Sequence, residues 1–346
     1  MIDWPKVKRV LVVKLRSIGD TVLTTPSLIA LRRFLPDARI DILLEDWVAP
    51  LLDGFEAVDD VISLRPGPLL RLSVARELRR RRYDVAFNLH GGTTATFFIA
   101  ATRARHRVGL SVYQYSFLYN HLFPSPAEFW KSEKIHSTEQ QLALLGFVGV
   151  PVGDRPKSRL AVTDAATRSI GDKLSPLVPA RTPLALMHPA ASSFTKQWEA
   201  GNFARTAEFL ADRGFQTVAI ASAGERGVLE RLKHEAKVPV VVFDDLTLPE
   251  ITALAAKAGL FVGNDSGIAH MAAAVNTPSV VIFGSSNRTH WRPWTDAPNE
   301  IVFTEFYCQP CPGYECREFG EPKCILSVAP EAVFAAIDRV LEDDQV

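Results

Sequence analysis

Short apolar runs alternate along the chain with longer stretches in which apolar residues recur every three or four positions. Residues 7–15 (VKRVLVVKL) are apolar and β-branched over the length of a strand, which predicts a buried strand. Residues 21–35 carry one apolar face and predict a helix, stopped by Pro36 and Asp37. Further short strands are predicted at 40–44, 85–89 and 107–110. The second half repeats the pattern more plainly. Strands are predicted at 184–188, 217–221, 240–243, 260–263 and 279–283, with helices near 202–213, 225–237, 248–258 and 266–275. The run TLPE at 247–250 has the spacing of a capping box and marks one helix start. Strands buried on both faces and separated by amphipathic helices predict an α/β protein with doubly wound parallel sheets.

The 346-residue length favours two domains. A Pro-, Asp-, Lys- and Ser-rich stretch at 151–183, with one helix near 164–174, is the expected connection. The expected units are an N-terminal domain at 1–165, a C-terminal domain at 180–329 and a closing helix at 330–346. No repeat, low-complexity tract or long apolar run interrupts this plan, and the first residues do not read as a signal peptide. Four cysteines are too few for a disulfide scaffold, so the expected compartment is the reducing cytoplasm.

Charge alters the picture only locally. The chain has 39 basic and 39 acidic side chains, but residues 1–150 carry 20 basic against 15 acidic. The densest basic run is RELRRRR at 76–82. It reads as the solvated face of a helix or as an attraction for an anionic surface or substrate. A near-neutral chain without a zinc-finger or RNP-like motif argues against nucleic acid as the partner.

In open parallel sheets ligands sit beyond the carboxyl ends of strands, and three chemistry-bearing segments follow predicted strands. The first is KLRSIGD at 14–20, which is neither a dinucleotide loop nor a Walker A loop. Asp20 reads either as a helix N-cap or as a carboxylate that takes a proton from a substrate hydroxyl. Lys14, Arg16, Ser17 and Gly19 surround it in sequence. The second is PAASSFTKQW at 189–198. Ser192, Ser193 and Lys196 there suit a diphosphate, or form an ordinary polar loop. The third is GNDSG at 263–267, leading into an Ala-rich helix through His270. Free N–H groups at Ser266 and Gly267 with the helix dipole suit an anion, and Asp265 otherwise reads as a cap. The sequence contains no Asp-x-Asp, the usual carboxylate pair for a diphosphate-bound metal.

These segments, taken in order, resemble the ADP-heptose:lipopolysaccharide heptosyltransferases, glycosyltransferase family 9. The resemblance rests on LVVKLRSIGD (11–20), HPA (188–190) with KQW (196–198), and VGNDSG (262–267) through His270. NLHGG (88–92) and HSTE (136–139) are also similar to family segments. It implies a GT-B fold, with two Rossmann-like domains facing a cleft. It also implies inverting transfer of heptose from ADP-L-glycero-D-manno-heptose to the lipopolysaccharide inner core, without a catalytic cofactor. On this resemblance Asp20 is the general base and Lys196 grips the donor diphosphate. Asp265, Ser266, Gly267 and His270 form the donor loop, and Glu225 holds the nucleoside. Ser17, Gly19, His90 and Gly91 lie on the acceptor side.

The implied acceptor is a lipid-linked, phosphorylated sugar, which the basic N-terminal half suits. It implies peripheral contact with the inner face of the cytoplasmic membrane. The aromatic stretch of Tyr113, Tyr115, Phe117, Tyr119 and Phe123 reads as a sugar or acyl contact, or as local packing. Cys308, Cys311, Cys316 and Cys324 read as four ligands of a structural zinc, as reduced thiols or as a disulfide. A non-transferring nucleotide-sugar enzyme of epimerase type, or a binding module, remains the alternative, because fold alone does not fix function.

Overall fold

The structure is a computed structural model that describes residues 1–311 and 314–343. The chain divides into two compact units, Met1–Ala161 and a second that begins at Val162. Among the described residues no helix is long and apolar enough to cross a membrane.

The first unit is built on strands β1 (Arg9–Val13), β2 (Arg39–Glu45), β3 (Asp60–Leu64), β4 (Val85–Asn88), β5 (His106–Leu110) and β6 (His121–Phe123). They form one parallel sheet in the order β3-β2-β1-β4-β5-β6. Its helices are α1 (Ile18–Val22), α2 (Thr25–Phe34), α3 (Pro68–Arg80), α4 (Gly92–Thr102), α5 (Pro126–Trp130) and α6 (Ser137–Phe147). Leu11 and Val13 of β1 join a core with Leu78 of α3 and Ala95, Phe98 and Ile99 of α4. Val10 and Val12 are equally buried. Alternate strand residues point to opposite faces, so β1 is covered on both sides, and its unbroken apolar run follows from that.

The second unit contains α7 (Asp164–Leu174), β7 (Leu184–His188), α8 (Ala200–Ala211), β8 (Gln216–Ile220), α9 (Arg226–Glu235) and β9 (Val241–Phe243). It continues with α10 (Leu248–Lys257), β10 (Leu260–Asn264), α11 (Gly267–Ala274), β11 (Ser279–Phe283), α12 (Arg288–Trp291) and β12 (Asn299–Phe303). The helices α13 (Lys323–Leu326) and α14 (Pro330–Asp343) complete it. The sheet order is β12-β11-β10-β7-β8-β9, again parallel. Trp198 and Phe203 pack with Val280 and Ile282 and with Val333, Ile337 and Val340 of α14. The helix expected at 330–346 is thus present to Asp343, and 344–346 lie outside the described residues.

Two sequence expectations change. The single helix expected at 21–35 is two helices, α1 and α2, separated at Leu23 and Thr24. Pro26 sits in the first turn of α2, where its missing N–H costs nothing, so it starts a helix instead of continuing one. Three edge or near-edge strands, β3, β6 and β12, were not expected. Each is only partly buried and therefore lacks a continuous apolar run.

The expected capping box at Thr247 forms as read. Glu250 returns a carboxylate oxygen to the Thr247 N–H at 2.8 Å. The same side chain accepts from Ser169 at 2.6 Å and pairs with Lys173 at 3.0 Å, tying α7 to α10. Burial opposes its charge, but the donors from Ser169, Thr247 and Lys173 outweigh burial and hold the carboxyl down at about 2. Its stabilising effect is therefore full above the ordinary carboxylate range and is lost as pH falls through about 2. Glu250→Gln should cost about 2 kcal/mol at neutral pH. Thermal melts of the two proteins between neutral pH and pH 2 check this: the gap should close on acidification.

Candidate functional site

Both sheets reverse their order beside a central strand. From β1 the chain winds outward through β2 and β3, then crosses to β4 on the other side. From β7 it winds through β8 and β9, then crosses to β10. The loops after β1 and β4, and those after β7 and β10, therefore flank crevices at the carboxyl ends of their strands. Nearly every candidate side chain lies on one of these four loops.

In the first unit, β1 ends at Val13 and Lys14 turns inward. The buried Lys14 Nζ lies 2.9 Å from Asp20 Oδ1 and donates to the Leu89 carbonyl at 3.2 Å. Ser17 Oγ donates to Asp20 Oδ2 at 3.0 Å. Asp20 is not the N-cap. Ser17 holds that position, and Asp20 lies three residues on, in the first turn of α1. Burial would raise the Asp20 carboxyl, but the Lys14 ammonium and the donors of Ser17 outweigh it and leave it lowered. The carboxylate is ionised at neutral pH and keeps 30% of its side-chain surface open. Gly19 beside it is buried.

The loop after β4 stands next to it, because Val13 and Asn88 are register partners. Asn88 Oδ1 accepts from the N–H groups of His90 and Gly91 at 3.0 and 2.8 Å. This turn leads into α4 through Gly91, whose φ of 78° favours glycine, and a Cβ there would press on the Tyr113 ring. Burial first, and the Lys14 charge second, lower the His90 imidazole and favour its neutral form. The aromatic stretch divides. Tyr119 and Phe123 are buried, and Tyr119 Oη bonds Asn88 and Thr96. Tyr115 and Phe117 are exposed.

In the second unit, the loop after β7 carries Ser192 exposed and Ser193 buried. The Ser193 hydroxyl pairs with Thr195 at 2.8 Å, and Thr195 with Ser285 at 2.9 Å. Ser193 is thus committed to a hydroxyl chain within the loop. Trp198 fixes the end of this segment in the core, its Nε1 donating to the Val328 carbonyl and its backbone N–H to Asn264. Lys196 Nζ is 2.9 Å from the buried Asp265 Oδ2, which also accepts from Ser286 at 2.5 Å. Asp265 therefore aims Lys196, which keeps 29% of its side chain exposed.

Ser266 is the N-cap of α11, and its backbone is extended without a side-chain cap bond. Its hydroxyl meets His188 Nδ1 at 3.0 Å. Burial pushes His188 down to about 4, so the ring is neutral at physiological pH. Gly267 opens α11, and His270 is buried one turn along. Gly263 lets the strand pass His188, since a Cβ would crowd the Phe261 ring and the His188 carbonyl. Glu225 follows β8. One carboxylate oxygen takes the N–H and hydroxyl of Ser222 in a capping box. Its charge reaches His188.

The four cysteines are free and border one cavity of about 10 Å³. Among the described residues, no group of three or more His, Cys, Asp or Glu side chains is arranged to hold a metal ion. Burial and the neighbouring thiols raise Cys311. Burial, with a smaller push from those thiols, also raises Cys324.

The glycosyltransferase family 9 (heptosyltransferase) model matches residues 71–320. The chain belongs to that family. It is a glycosyltransferase. Lipopolysaccharide heptosyltransferase 3 of Escherichia coli (strain K12) is 28% identical over 350 residues, covering 95% of this chain and 97% of the relative. A family 9 glycosyl transferase structure from Veillonella parvula has a TM-score of 0.84 at 19% identity, covering 97% of both chains. The structure of E. coli ADP-heptose lps heptosyltransferase II has a TM-score of 0.81 at 22% identity, covering 98% of this chain and 100% of that one. The family 9 chain thus has the GT-B fold.

Sequence reasoning missed Asn88, Ser286 and Asn264, the side chains that shape these loops. Asn88 and Asn264 each end a strand, and an Asn there was the available signal. Ser286 carried none, since it reaches Asp265 from a different strand's loop.

Replacing Lys14 by Met should raise the Asp20 carboxyl toward or above the ordinary carboxylate value, because burial is then left unopposed by that ammonium. A carbon-13 NMR titration of the Asp20 carboxyl in both proteins checks the direction.

Proposed function

We propose that this family 9 enzyme transfers heptose from ADP-L-glycero-D-manno-heptose to the inner core of lipopolysaccharide, with inversion. The acceptor hydroxyl oxygen bonds to the anomeric carbon while that carbon's bond to the diphosphate oxygen breaks. ADP leaves with the bonding pair, and the hydroxyl proton passes to the Asp20 carboxylate. The observation that carries the reading is this held, ionised and partly open carboxylate at the crevice of the first unit. Its lowered pKa guarantees the charged form at the expense of basicity, so it suits a base that receives the proton as the new bond forms.

Lys196, aimed by Asp265, and the free N–H groups at Ser266 and Gly267 suit the negative charge that develops on the leaving diphosphate. Exposed Ser192 adds a hydroxyl donor, Glu225 a carboxylate for the nucleoside, and His270 packs behind the loop. Ser193 serves the loop's shape. Ser17, Gly19, His90 and Gly91 border the acceptor side. The relatives' names support heptose and lipopolysaccharide as donor sugar and acceptor. A lipid-linked acceptor makes the enzyme a peripheral visitor to the inner face of the cytoplasmic membrane. Structural zinc on Cys308, Cys311, Cys316 and Cys324, which border one cavity, would draw these thiols together from the arrangement described above. Elemental analysis of protein purified without chelator tests it, and a sub-stoichiometric zinc content ends it.

Asp20→Asn should keep donor affinity and lose turnover by at least about 100-fold, the scale of general-base catalysis. Lys196→Ala should lose about 100–1000-fold in kcat. Radiolabelled sugar transfer to isolated core acceptor, with calorimetric donor binding, measures both. Full turnover by the Asn variant removes the base assignment. Isomerised donor without transfer favours the epimerase reading.

A further inference from the structure

The outer face of α3 is unlike the rest of the first unit. Val74, Ala75 and Leu78 anchor the helix on the core. The residues ahead of them do not pack: every side chain from Pro68 to Ser73 is exposed, with Leu69 at 79% and Leu70 and Leu72 at 46% each. A single exposed leucine is ordinary, but three within four positions are not. The same helix carries the basic run onward. Ser73, Arg76, Arg79, Arg80 and Arg82 line one open depression. Arg81 is neutralised by Asp41, Asp60 and Glu77. Among the described residues no ion pair engages Arg76, Arg79, Arg80 or Arg82, so the depression carries four uncompensated positive charges.

Leu69, Leu72, Ser73, Arg76 and Arg80 fall at i, i+3, i+4, i+7 and i+11, on one side of the helix. We propose that this face of α3 docks the enzyme on an anionic lipid bilayer. The leucines enter the boundary between headgroups and acyl chains, and the arginines pair with lipid phosphates. A nucleic acid would satisfy the arginines but leave the leucines without a use. The helix also has no Trp or Tyr of the kind that anchors protein interfaces. The biological purpose of this surface rests on the lipid-linked acceptor proposed above. Its test uses neither donor nor acceptor, so the two readings fail separately.

The full chain is floated with vesicles of phosphatidylglycerol mixed into phosphatidylcholine, and with phosphatidylcholine alone, at low and high salt. Binding is expected to the anionic vesicles only, weakening with salt. Replacing Arg76, Arg79 and Arg80 together by Gln should lower the partition coefficient about 100-fold. Leu69→Ser with Leu72→Ser should lower it about 10-fold or more. All five side chains are free of the core, so both variants should keep the wild-type thermal midpoint. Equal binding to both vesicle types, unchanged binding by either variant, or binding to duplex RNA without binding to vesicles would each overturn the proposal.

Discussion

A parallel sheet that grows outward from a central strand and then reverses must leave one pair of neighbouring loops pointing apart. Loop main-chain groups beyond the last ladder bonds of that gap need side-chain partners. This constraint acts twice in the present chain, beside β1 and beside β7. At each place polar side chains take over the unsatisfied positions: Asn88 turns the loop after β4, and Asn264 braces the loop after β7. The charged residues of interest are held by that scaffolding. Lys14 and Asp20 define each other's geometry at one crevice, and Lys196 and Asp265 do so at the other.

The two pairs are chemically opposite despite their similar lengths. In Lys14–Asp20 the cation is buried and the carboxylate keeps an open side. In Lys196–Asp265 the carboxylate is buried and the ammonium keeps one. Burying one partner of an ion pair fixes the other without neutralising its reach, since the outer group still has unused donors or lone pairs. One crevice thus presents a partly open carboxylate and the other a partly open ammonium, the two charges on which the proposed sugar transfer relies.

Much of this was legible in the sequence, for reasons that can be traced. Strands covered on both faces, such as β1, β7 and β11, announce themselves as unbroken apolar runs. The helix starts at Thr247 and Gly267 carry their own local chemistry. The edges were hidden because β3, β6 and β12 are only partly buried and mix polar with apolar residues. The break between α1 and α2 was hidden because the apolar spacing runs straight through it. At the sites, residue types after strands pointed to Asp20, Lys196 and Ser266. Which neighbour each would bond was not readable. Ser193 has the same residue type as Ser192 but faces the interior, and only the fold separates them.

His188 supplies a last consequence. An imidazole with an ordinary acidity would gain charge within the range just below neutral pH, and the surface beside Ser266 would then become more attractive to anions. Held at about 4 by its surroundings, this ring stays uncharged throughout that range. The hydroxyl of Ser266 therefore meets a neutral ring across that range, and the charge of this ring beside the start of α11 does not follow small changes in pH.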